Sequence, residues 1–153
     1  MKTTLPGLGL LLVLSACGGS GSSSSNAAAT QASAAQSDYD AKKGAGKFTE
    51  FPVPAALDPS MAEAGQKAYD LKCSACHKLT DERLVGPGWS GVTQRHQPVW
   101  IMNFLTNVSE MIDKDPALQA QLEICLVRMP NQNVSDDEAR QLLEFMRKND
   151  GVK

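Results

Sequence analysis

The stretch Cys73-Ser74-Ala75-Cys76-His77 constrains this chain more than any other, because there three groups able to bind a cofactor fall within one helical turn. Two thiols at i and i+3 lie on the same side of a turn, so each can add to one of the two vinyl groups on the edge of a haem. The imidazole of His77, next in sequence, would then lie beneath the ring and ligate the iron. The spacing reads as covalent haem attachment. In an exported chain, half of a zinc site, a redox dithiol or a structural disulfide remain open alternatives. A haem would also serve the interior: aromatic residues are 5% of the 153, which makes a modest core for a single domain of this length.

The N-terminal end reads as a targeting segment. Met1-Lys2 is a short positive start, and Leu5 to Val13 is an apolar run too short to span a bilayer. It closes in Leu14-Ser15-Ala16-Cys17, which resembles the lipobox of bacterial lipoproteins, where cleavage leaves Cys17 as the lipid-bearing first residue. An ordinary secretory signal cut near Cys17 is the alternative. The expected organisation is a signal over 1–16, a lipidated Cys17 heading a flexible Ser/Gly/Ala-rich tether over 17–46, an extended lead-in over 47–54, and a folded domain over 55–153. The tether composition offers almost nothing to bury. The formal net charge of −2, without a basic patch, argues against a nucleic-acid partner. No second apolar run is long enough for a transmembrane helix, so a membrane link would rest on the acyl chains of Cys17. The expected location is the periplasmic or cell-surface side of a bacterial membrane.

Every strong segment of the domain has helical spacing, and the fold class is all-α. Asp58 before Pro59 offers one start for the first helix, and a capping box of Ser60 with Glu63 offers another. Met61, Ala64, Ala68 and Leu71 form its apolar stripe. Gly65 within it implies close approach by another helix. Gly86-Pro87-Gly88-Trp89 must be loop, and His77 is expected to donate its second ring N–H to the Pro87 carbonyl, as ligating histidines generally do to a carbonyl or carboxylate. Pro98 opens a helix to about Asn107, with Ile101, Leu105 and Trp100 inward. Asp115-Pro116 opens another that Pro130 should stop at Met129, handing Met129 to a loop where a distal ligand belongs. Leu118, Leu122 and Cys125 share one of its faces, so Cys125 reads as a small buried hydrophobe. Ser135 with Glu138 caps the last helix, which runs to about Lys148 with Ala139, Leu142, Leu143 and Met146 inward and Arg147 and Lys148 at its negative end.

With these residues in view, the sequence resembles a monohaem, class I cytochrome c over roughly Ala55 to Lys153. Gly65 and Tyr69 match the family's Gly-x-x-x-aromatic pattern, Gly86-Pro87 its loop after the histidine, and Met129-Pro130 with Ser135 its distal Met before a capped terminal helix. The resemblance implies four to five helices around one covalently bound haem c, with first and last helices crossing at Gly65 against Leu142 or Phe145. Cys73 and Cys76 would fix the ring, and His77 and Met129 would ligate the iron. It also implies one-electron transfer rather than enzyme catalysis, between a donor and a terminal oxidase or reductase. The helix-rich insert between Trp89 and Met129 departs from the family pattern; it resembles cytochromes of nitrous-oxide reduction systems. Trp89, Arg95 and Trp100 are candidates to meet the haem propionates.

Three rivals stand beside this reading. His96 would give bis-histidine ligation in place of Met129, whereas Met61, Met102, Met111 and Met146 lack the proline-terminated loop. A displaceable distal Met would make a gas-binding or peroxidase-like protein. Cys73, Cys76, Cys125 and a histidine could form a zinc site.

Overall fold

Six helices follow one another in the computed structural model, which describes residues 39–153. They are α1 (Pro59–Lys72), α2 (Val92–Arg95), α3 (Pro98–Thr106), α4 (Val108–Lys114), α5 (Pro116–Cys125) and α6 (Asp136–Asn149). The expected signal, Cys17 and the tether up to residue 38 lie outside the described residues. Among the described residues there is no strand, only an isolated bridge between His77 and Arg83. Six helices replace the expected four to five because the sequence marked neither the single turn α2 nor α4, which begins directly after Asn107. That residue leaves helical geometry, with φ −144° and ψ 46°, and ends α3 where α4 begins.

The crossing of α1 and α6 is the largest helix–helix contact. Asp58 starts α1, its carboxylate accepting from the Ser60 and Met61 amides, with Pro59 at the first helical position. The Ser60–Glu63 box does not form, and the Ser60 hydroxyl bonds Asp58 instead. The inward face is Ala62, Gly65, Ala68 and Tyr69, while Leu71 of the expected stripe is 86% exposed. The reason is Gly65. A Cβ there would overlap the Gln141 carbonyl and press on the Phe145 Cβ, so the helix turns its glycine to α6 and carries the stripe round with it. Of the two expected partners, Phe145 makes this contact and Leu142 packs in the adjoining core.

At the start of α6 both arms of the Ser135–Glu138 capping box are present, and Ala139, Leu142, Leu143 and Met146 are buried. Arg147 departs from expectation. It is buried beside a fully buried Glu144, which also accepts from Arg140 and the Asp58 amide. The other Arg147 nitrogen donates to the Pro54 and Ala55 carbonyls at 2.6 and 2.9 Å, which fastens the extended lead-in onto α6.

The expected tether to residue 46 is too long on its C-terminal side. Residues 39–46 lie against α3 and α4: the Asn103 side chain donates to the Lys43 and Phe48 carbonyls, and the Tyr39 hydroxyl donates to Asp115 at 2.6 Å. The Ala45 amide lies 2.9 Å from the Met111 sulfur. Gly44, at φ +74°, and Gly46 permit this because a side chain at either would collide with Met111 or Asn103. Glycines that read as looseness are points of close approach.

Helix α5 stops at Cys125 rather than Met129, with Leu126 left-handed at φ 58°. Pro130 disfavours helical geometry at Met129, and the left-handed Leu126 ends the helix a turn earlier than that. None of the α5 residues is buried.

Candidate functional site

Local backbone geometry brings the Cys73–His77 segment into one tight turn. The Cys76 and His77 amides both bond the Cys73 carbonyl, at 3.0 and 2.9 Å, and the Tyr69 hydroxyl donates to the His77 carbonyl at 2.6 Å. The following loop folds back on the same turn, with the Gly86 amide 2.8 Å from the Cys76 carbonyl. His77 Nδ1 lies 2.8 Å from the Pro87 carbonyl oxygen, the expected contact. A carbonyl can only accept, so Nδ1 carries the proton and Nε2 keeps its lone pair. Gly86 is what lets the loop come this close, because a Cβ there would overlap the His77 ring. Trp89 packs nearby, its ring centroid 5.9 Å from that of His77 and 4.9 Å from that of Tyr69.

These groups face a cavity of about 450 Å³, a size usual for a cofactor site. Cys73, Cys76, His77 and Pro87 line one part of it; Leu118, Leu122 and Cys125 of α5 and the loop residues Met129 and Pro130 line another. Cys125 is therefore half-buried at the cavity wall, not packed in the core as expected, because α5 lies over the cavity. Of the other methionines, Met146 also reaches the cavity from α6, while Met102 and Met111 are fully buried in the core and do not line it.

Burial pushes the Cys73 thiol up to about 11 and lowers the His77 imidazole, against which the Pro87 bond pulls only partly. Both are thus neutral near pH 7: a protonated thiol and an imidazole with a free nitrogen. Cys73, Cys76 and Cys125 form no disulfide with one another. No three His, Cys, Asp or Glu side chains among the described residues are grouped to hold a metal ion, so the zinc alternative finds no cluster.

The three propionate candidates all line the cavity but are not equivalent. The Trp100 N–H is committed to Asp115 at 3.1 Å, and Arg95 donates to the Ser90 carbonyl at 2.6 Å. His96 also lines the cavity, stacked on Trp100 with centroids 3.7 Å apart, and burial lowers its pKa. Sequence reasoning missed Arg83, which lines the cavity with Lys72 and Arg95. Its signal was position, three residues before Gly86. It also missed what Tyr69 does, although the glycine-to-aromatic spacing had marked the residue.

The residues fit a haem. Two thiols, an imidazole with one free nitrogen and a thioether converge on a largely apolar space whose lining includes three cationic side chains suited to a ring carrying two carboxylates.

Comparison with known proteins bears on this arrangement. A family model described as cytochrome c matches residues 62–150. A solved cytochrome c from Rhodothermus marinus is 31% identical, covering 69% of this chain and 90% of that one, with a TM-score of 0.66. An engineered form of the Rhodothermus marinus protein is 30% identical with the same coverage and a TM-score of 0.65. An engineered form bound to a carbene intermediate gives 30% and 0.62. No curated protein matches the chain.

Proposed function

Since this chain belongs to the cytochrome c family, and so is a haem c protein of electron transfer, we propose that it is a one-electron carrier of a respiratory chain. The observation that carries the reading is the convergence of Cys73, Cys76, His77 and Met129 on one cavity. In it Cys73 and Cys76 hold the haem through thioethers, and His77 and Met129 are the iron ligands. The bound haem supplies the electron exchange, and a Met/His pair sets a higher potential than bis-histidine ligation. The protein contributes fixed geometry. The Pro87 carbonyl and the Tyr69 hydroxyl hold the His77 ring and backbone, Gly86 gives them room, and the buried Trp89 packs beside the ring. Rigidity of this kind keeps the ligands in place in both oxidation states.

The acceptor in this proposal is a terminal oxidase or reductase, with nitrous-oxide reductase suggested by the helical insert. Cys17 is the proposed lipid anchor, holding the carrier on the periplasmic or cell-surface side of the membrane. Met129→Ala in the holoprotein tests the ligand assignment: the sulfur-to-iron absorption band should vanish and the midpoint potential should fall. Retention of both would show that Met129 is not the ligand and leave Met146, the other methionine at the cavity, as the candidate; a wild type without the band would point to His96.

A second reading has two observations in its favour. The engineered relative in its carbene-bound form accommodates a non-protein group, and here Met129 follows directly on α5, which has no buried residue. On this reading the distal Met is displaceable, and the reduced protein binds carbon monoxide rapidly at neutral pH.

A further inference from the structure

Met129 sits on a stretch with little to hold it. Helix α5 has no buried residue, the helix it contacts most is α4, and Leu126, Val127 and Arg128 after it are all exposed. A ligand carried on such a stretch needs an anchor, since its burial is too slight to fix a side chain against the cavity. One anchor is visible. The guanidinium of Arg128, adjacent to Met129, reaches back across the insert to α4, where one nitrogen donates to the Ser109 carbonyl at 2.9 Å and to the Asp113 carboxylate at 2.8 Å. Ser109 and Asp113 lie one turn apart, so a single planar group spans both. At the other end of α5, Asp115 caps the helix through the Ala117 and Leu118 amides. The segment between is thus pinned at its start and just before Met129.

We propose that Arg128 is the positioning residue of the distal ligand, clasping the Met129 loop to α4 through Ser109 and Asp113, so that the helical insert serves as the platform for that ligand. The proposal rests on Met129 as the iron ligand. The clasp is half-exposed, so it is modest in strength and weakened by salt.

The test is titration of the ferric holoprotein with imidazole, which competes with Met129 for the iron. Arg128→Ala should bind imidazole about fourfold more tightly than the wild type, Asp113→Asn should shift the same way, and Arg128→Lys should lie between. The unfolding midpoint should scarcely move. In a Met129→Ala background, adding Arg128→Ala should change nothing, because no methionine remains to be held. Equal affinity in wild type and Arg128→Ala overturns the proposal, as does an effect that persists without Met129, which would make the clasp a steric cover. If Met129→Ala alone fails to tighten imidazole binding, the ligand assignment has failed and the proposal falls with it.

Discussion

Glu144 shows how one residue can matter without announcing itself. Burial alone would push its carboxyl up, but the Asp58 amide, Arg140 and Arg147 outweigh that and hold it below the usual carboxylate range. A carboxyl depressed in the folded state stabilises the protein above its unfolded pKa, and that contribution is lost as pH falls through the folded value. Glu144→Gln should therefore cost about 3 kcal/mol at pH 7, since it leaves Arg147 buried without its counter-charge. In denaturant titrations the gap between variant and wild type should close below pH ~4. A gap that stays constant with pH would show that the carboxylate charge is not what stabilises. In the sequence, the cluster of Arg140, Glu144 and Arg147 at helical spacing carries no mark of burial. What buries it is the segment around Pro54 and Ala55, about ninety positions away. By contrast, Cys73, Cys76, His77 and Pro87 were legible because their spacing and local turn chemistry create the geometry.

Helices were legible where their ends carry caps. Asp58-Pro59, Asp115-Pro116 and Ser135 with Glu138 mark the starts of α1, α5 and α6 through bonds made within three residues. The inward face of α1 was not, because its rotation is decided by the Gln141 backbone, a partner with no side-chain signature. The end of α3 falls at Asn107, where the sequence put it, but the start of α4 directly after it was silent: no proline or capping side chain marks Val108, and α3 and α4 are separated by one distorted residue. Burial separates the helices dynamically as well. With no buried residue in α5 and extensive contact between α1 and α6, amide exchange in the holoprotein should be fastest across 116–125 and slowest in α1 and α6. Protection in α5 equal to that in α6 would mean that α5 opens only with the whole molecule.

At the scale of the molecule, the strap over 39–53 joins the insert to the rest, and Asn103 is its fastener. Its side chain satisfies one amide and two carbonyls of the strap. Asn103→Ala should lower stability by about 2–3 kcal/mol, the cost of stranding those groups. It should also open the strap to protease; a variant as resistant as wild type would show that Phe48 and Phe51 hold it without Asn103. The crossing of α1 and α6 has a consequence of a different kind, in time. The helix leading into the Cys73–His77 turn finds its main partner in α6, the last described helix, and Leu57 bonds the Lys153 carbonyl at 3.2 Å. During synthesis α1 is made some sixty residues before α6 begins, and contacts so distant in sequence form late. Until α6 has formed, the two cysteines and the histidine therefore stand at the end of a helix that lacks its main packing partner.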